Sequence, residues 1–103
     1  MSNILPFPVQ QEIVIDNYRI ILLDQDSIPE SSSYKNRNVL CLDRNQNIIW
    51  QIEELQTYPG LRKICPYGEI HYINNELILL NWCDLRLVVD FKTGKILDKK
   101  EVR

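Results

Sequence analysis

One histidine, three cysteines and three glycines in 103 residues leave little from which to build a catalytic centre. Cradling a phosphate needs a glycine-rich loop that lets the backbone approach closely, and no such loop is present. The cysteines, Cys41, Cys65 and Cys83, are odd in number and none is spaced C-x-x-C. This argues against both a disulfide framework and a zinc site, and the three are expected to be small buried apolar residues. There is no D-x-D-x-D-G loop for calcium, so neither metal nor cofactor is expected. The longest aliphatic runs, Ile20 to Leu23 and Leu77 to Leu80, are four residues each, far short of a membrane span. The start of the chain, MSNILPFPVQQ, has neither the basic region nor the apolar run of a signal peptide. The cytoplasm is the expected compartment.

A strong excess of one sign of charge is also lacking, with 12 Lys/Arg against 14 Asp/Glu. The net charge is −2. Residues 1–60 hold four Lys/Arg against eight Asp/Glu, and residues 61–103 hold eight against six. A sequence-independent nucleic-acid binder is usually basic, so an acidic first half suits a basic protein partner better. An apolar share of 45% and a charged share of 25% are those of an ordinary globular chain, expected to form a single domain over 1–103.

What is present is β pattern. Glu12 to Ile15 and Tyr18 to Asp24 flank Asp16-Asn17, a two-residue turn signal, because both residues tolerate positive φ. Asn38 to Asp43 and Ile48 to Glu53 flank a four-residue turn, with Val39 expected opposite Trp50 or its neighbours. Glu69 to Ile73 and Glu76 to Trp82 flank Asn74-Asn75. Leu85 to Asp90 and Lys95 to Asp98 flank a turn containing Gly94. Residues 25–37, with Pro29 and three serines, form a long loop that has room for one short helical turn near Pro29 to Ser32, and long loops often carry function. Residues 54–68 form a second long connection. The KKEVR tail is expected to fray.

The pattern repeats. Residues 14–23 match 72–81 at an offset of 58, and 39–50 match 86–97 at about 47. The units, about 12–54 and 69–98, predict an all-β fold of about eight antiparallel strands in two four-stranded meanders, forming a small sandwich or a curved sheet with at most one short helix. The second hairpin, LDRNQNIIWQI, resembles the outer strands of quinoprotein-type and WD-type β-propeller blades. It lacks the glycine those repeats carry near Asn47, and two units are too few to close a propeller.

No catalytic set emerges. His71 stands alone in a strand, so a small hydrolase using it is the least favoured reading. Cys65, flanked by Arg62 and Lys63, is the one thiol whose setting favours a thiolate. The chain is not expected to be an enzyme. A small, acidic, all-β chain of this kind resembles the immunity proteins of bacterial contact-dependent growth inhibition and related polymorphic toxin systems. The resemblance implies a cytoplasmic monomer that binds one cognate toxin domain 1:1, a basic nuclease, and occludes its active site. Asp24, Asp26, Glu30, Glu53 and Glu54 would meet toxin lysines and arginines, with Tyr34 and Tyr58 as aromatic anchors. The alternative is a non-catalytic β-sheet interaction module or sensor in a larger assembly, binding through an exposed strand edge.

Overall fold

The computed structural model describes residues 5–55 and 64–102. It shows eight antiparallel strands in two four-stranded sheets. Sheet A runs β1 (Val9–Ile15), β2 (Tyr18–Leu23), β3 (Val39–Leu42) and β4 (Ile48–Gln51). Sheet B runs β5 (Tyr67–Ile73), β6 (Glu76–Asn81), β7 (Leu85–Val89) and β8 (Ile96–Glu101). In each sheet the strand order is the chain order, so every connection within a sheet is a hairpin or a loop between neighbours.

The turns explain the hairpins. Asp16 in the first and Asn74 and Asn75 in the third adopt positive φ, at 53°, 53° and 66°, the conformation that two-residue hairpin turns need and Asx residues tolerate. In the β3–β4 turn the Asp43 carboxylate accepts from the backbone N–H groups of Asn45 (2.8 Å) and Asn47 (2.9 Å). These bonds, that of Asn47 foremost, hold its carboxyl below the usual range. Asp90 repeats the device, accepting from the Lys92 N–H at 2.9 Å, and Gly94 supplies a φ of 78°.

Three local expectations are corrected. The short helical turn is a 3-10 turn at Gln25–Ser27 rather than at Pro29, because Asp24 caps it by accepting from the Asp26 N–H. The tail does not fray at Lys99: β8 pairs with β7 through Glu101, and the Val102 N–H donates to Asp84 O at 2.7 Å. Trp50 lies opposite Cys41, and Val39 bonds Ile52 instead, because a bulge at Ile49 shifts the register.

The internal repeat holds in three dimensions. The Pro8 carbonyl accepts from Asp24 as the Pro66 carbonyl accepts from Trp82. A bulge lies between Val9 and Gln11 and another between Tyr67 and Glu69. The pair Ile20–Cys41 recurs as Ile78–Val88, and Cys41–Trp50 recurs as Val88–Asp98. Along the last strand the offset becomes 48, because the β7–β8 turn holds one more residue.

The two sheets bury a common core. Ile15, Ile20, Leu22, Val39, Cys41, Trp50 and Ile52 of the first unit meet Tyr67, Ile70, Leu77, Leu79, Leu85, Leu87 and Val89 of the second. Each large apolar side chain taken from water contributes about 1.5–3 kcal/mol. The opposite face of sheet A, with Ile21, Leu23, Leu40 and Leu42, is covered by Leu5, Phe7, Ile28 and Tyr34. Phe7 and Tyr34 meet edge to face with centroids 5.8 Å apart.

Polar groups fix how the sheets meet. The Trp50 indole N–H donates to Phe91 O at 2.8 Å, and its ring lies where a Cβ on Gly94 would stand only 2.6 Å away. Fully buried Asn38 donates to Leu23 O (3.0 Å) and Tyr67 O (2.8 Å) and accepts from the Tyr67 N–H (2.9 Å). Gln11 donates to Ile70 O at 2.6 Å and accepts from the Ile70 N–H at 3.1 Å.

The stacking is head to tail. On sheet A the face turned to the shared core holds Ile13, Ile15, Ile20, Leu22, Val39, Cys41, Trp50 and Ile52. By the register equivalences, the same positions of sheet B are His71, Ile73, Ile78, Leu80, Arg86, Val88, Asp98 and Lys100. They lie on the face of sheet B that points away from sheet A. Four of the eight are polar or charged there, including Asp98 in the place of Trp50.

Candidate partner-binding surface

Antiparallel connectivity gathers most of the expected acidic residues. The end of β2, the start of β3 and the end of β4 coincide, so Asp24, Asp26 and Glu30 leave sheet A at the same end as Glu53 and Glu54. The two segments are tied: Arg37 Nε donates to Ile52 O and Gln51 Nε2 to Arg37 O, both at 2.8 Å.

The loop 25–37 is built rather than loose. Lys35 Nζ donates to Gln25 O (2.6 Å) and Ile28 O (3.0 Å). Two expected partner-binding residues serve this internal structure. The Asp24 carboxylate accepts from the Asp26 N–H and the Ser27 hydroxyl, both at 3.1 Å, and half-buried Tyr34 packs on Phe7. Asp26, Glu30, Glu53 and Glu54 are exposed. Tyr58 lies outside the described residues.

The aromatic residues divide sharply. Tyr67 is 1% exposed in the core, because β5 begins two residues before Glu69, where the strand was expected to start. Tyr72 packs edge-on to Phe91 at 6.0 Å. Trp50 is core, whereas Trp82 is 61% exposed.

The candidate reactive groups are occupied or muffled. His71 Nε2 sits 2.9 Å from Glu69 Oε2 on the outer side of β5. Burial, reinforced by the nearby Asp43 charge, pushes the Cys41 thiol up to about 11. Cys65 and Cys83 form a disulfide with Cα atoms 5.4 Å apart. This corrects the expectation of isolated buried thiols, and it removes Cys65 as a nucleophile while the bridge stands. The bridge spans 18 residues and closes the open end of the β5–β6 hairpin. A loop of that length constrains the unfolded chain by about 3 kcal/mol on the entropy model.

The sheet edge is managed as well. Gln10 donates to Gly68 O (3.3 Å), and with Gln11 and Asn38 it occupies backbone groups of β5 from Tyr67 to Ile70. Side-chain amides thus take the places that an added strand would use. On the opposite edge, β8 is bulged and carries Asp98, Lys99 and Lys100.

At the corresponding end of sheet B lies an open cleft of about 310 Å³, lined by Gly68, Glu69, Leu80, Asn81, Trp82, Asp84, Leu85 and Val102. Sequence reasoning did not find it. The available signal was the repeat itself: carried one residue past Asn81, it sets Trp82 over Asp24 and Gly68 over Gln10.

A family model matches residues 3–101. The chain belongs to the family described as Domain of unknown function (DUF7957). Neither the curated proteins nor the solved structures contain a match. Among the described residues no group of three or more His, Cys, Asp or Glu side chains is placed to hold a metal ion, and no helix is long and apolar enough to cross a membrane. What the surface can do chemically is present carboxylates and one exposed indole from the loop end of the two sheets.

Proposed function

We propose that the protein is a non-catalytic binding protein: an immunity protein that neutralises a cognate bacterial toxin domain, a nuclease with a basic surface, by covering its active site. The supporting observation is the gathering at one end of sheet A of Asp26 and Glu30, on a loop held in shape by internal hydrogen bonds, with Glu53 and Glu54, just past the end of β4. A preformed acidic surface raises the association rate with a basic partner and penalises wrong ones. The complex is 1:1 and forms in the cytoplasm, where the nuclease would act. Reducing systems oppose disulfides there, so trapping of thiols in intact cells bears directly on this compartment: a fully bridged Cys65–Cys83 pair would place the protein elsewhere.

The decisive test is calorimetric titration against the toxin domain encoded immediately upstream, together with co-expression. Nanomolar-class binding and protection of toxin-expressing cells are expected. Glu53→Lys with Glu54→Lys should slow association and flatten its salt dependence while leaving thermal stability nearly unchanged. Absence of both binding and protection would end this reading.

A second reading, an interaction module within a larger assembly, draws on the outward face of sheet B, which is the repeat equivalent of the face that sheet A packs. That reading requires a partner sheet on Ile73 and Leu80, and it is separated from the first by whether Glu53 and Glu54 or Ile73 controls binding.

A further inference from the structure

We infer that the cleft at Trp82 is a receptor for a cationic side chain, arginine or lysine, presented by a partner protein. This deepens the proposed function and rests on its reading of a basic protein partner.

The first observation is where Trp82 stands. An indole is among the largest apolar groups a chain can bury, yet Trp82 is 61% exposed, and the core is closed without it. The second is that it is held there. A Cβ on Gly68 would approach its Nε1 to 2.9 Å and its Cε2 to 3.2 Å, so the ring lies against the Gly68 backbone. The Trp82 backbone N–H donates to Pro66 O at 3.0 Å, and the next residue is tied to Cys65 by the disulfide. The indole is therefore positioned before any ligand arrives, which lowers the ordering cost of binding.

The third observation is the lining. Leu80, Leu85 and Val102 supply apolar wall, Glu69 (with His71 2.9 Å from its Oε2) and Asp84 supply carboxylates, and among the described residues no Lys, Arg or His lines the cleft. An aromatic face beside carboxylates attracts a guanidinium or ammonium group and repels anions. The volume sits at the small end of ligand pockets, which start at about 300 Å³, and suits a single side chain.

The fourth is Asn81. Its Oδ1 accepts from the Cys83 and Leu85 N–H groups at 2.9 and 3.0 Å, which fixes the amide orientation. Its Nδ2 is then buried without a partner. A backbone carbonyl of the partner chain, arriving with the cationic side chain, would reach it once the cleft wall above it opens slightly. Arg86 lies opposite Leu80, with Lys100 beyond it. Both are outside the lining and work against a cation, so affinity for an isolated side chain is modest.

The test uses the two indole N–H resonances of the full chain, one each from Trp50 and Trp82. N-acetyl-arginine methylamide and its lysine counterpart should shift the Trp82 resonance saturably in the millimolar range and leave that of Trp50, bonded to Phe91 O, in place. Glu69→Gln with Asp84→Asn should weaken this about three- to fivefold, the size of an exposed charge or cation–π contact, and Arg86→Gln should strengthen it. No saturable shift up to the solubility limit, or an equal shift with the neutral norleucine derivative, would overturn the inference. If arginine binds but no basic toxin does, the cleft stands and the partner assignment falls. If the toxin binds and Trp82→Ala leaves its affinity unchanged, the proposed function stands and the cleft falls.

Discussion

The contact between Trp50 and Gly94 is where one repeat unit is locked to the next, and a double-mutant cycle can weigh it. Gly94→Ala forces a side chain into a φ of 78°, which costs about 1–2 kcal/mol. It also drives a Cβ to within 2.6 Å of the Trp50 ring, an overpacking that costs about 1–3 kcal/mol more. Trp50→Ala empties a site only 7% exposed and should cost about 3–5 kcal/mol. In the double variant the new methyl group has no indole to strike, so only the backbone penalty of Gly94→Ala remains. The two costs should therefore be less than additive by about 1–3 kcal/mol. Gly94→Asn separates the causes, because asparagine tolerates the left-handed conformation and still carries a Cβ. It should lose most of the backbone penalty and keep the clash. Urea unfolding followed by far-ultraviolet circular dichroism reads all four corners. Additivity within about 0.5 kcal/mol would refute the reasoning, since it would mean that the indole does not confront Gly94.

Asn38→Ala should cost roughly 2–4 kcal/mol in the same assay, because it leaves the Leu23 and Tyr67 carbonyls and the Tyr67 N–H buried without this partner; a loss under about 0.5 kcal/mol would mean that the sheets do not depend on it. The Cys41 thiol is raised from 9.0 to about 11 by burial, so the folded chain holds that proton more tightly than the unfolded one. Its contribution to stability is full below pH 9 and is lost as pH climbs from about 9 to about 11; Cys41→Ala should remove that part of the alkaline loss in unfolding curves measured across this window. Giving the outward face of sheet B the residues of its equivalent, by Arg86→Val, Asp98→Trp and Lys100→Ile together, should make the protein self-associate, seen as a rise in mass by light scattering. A mass equal to the parent's at every concentration would count against that face being a disguised interface.

Much of this fold was legible because its turns are written in Asx and glycine. Asp16-Asn17, Asn74-Asn75 and the Asp43 and Asp90 turns mark hairpins whatever lies between them. The repeat was legible for the same reason, and its offsets of 58 and 47 hold in the structural register up to the last strand, where the offset is 48. Less legible was anything decided by pairing between units. Cys65 and Cys83 are brought together only once β5 and β6 are in register, and an odd cysteine count pointed away from them. Asn38 reads as the first residue of a strand, and only the arrival of Tyr67 makes it a bridge. In the candidate site, topology did gather Asp26, Glu30, Glu53 and Glu54. Asp24 and Tyr34 have internal contacts that the sequence did not show, because the groups they meet, Ser27 and Phe7, come beside them only once the loop and the lead-in are folded. The exposure of Trp82 was not legible, because the glycine beneath it lies fourteen residues away in sequence.

The likeness to a propeller blade raises the question of what limits the stacking of such units, since head-to-tail packing has no intrinsic end. Each sheet offers one face to the unit before it and another to the unit after it, and an uncovered apolar face invites further copies. The two ends are closed by different means. At sheet A the face that would receive a preceding unit is covered by Leu5, Phe7, Ile28 and Tyr34. That cover is supplied by the lead-in and by the 25–37 loop, so the extra residues of the first copy have a structural use before any functional one. At sheet B no described segment plays that part, and the face is closed chemically: Trp50, Ile52, Val39 and Ile13 of the first unit become Asp98, Lys100, Arg86 and His71. Aliphatic stems of such residues can shield apolar neighbours while their heads stay in water, and Ile78 and Val88 on that face are 5% and 7% exposed. A capped face and a charged face leave the ends of the sheets, rather than their flat sides, as the surface available to a partner. Those ends are where Glu53 and Glu54 emerge and where the Trp82 cleft opens.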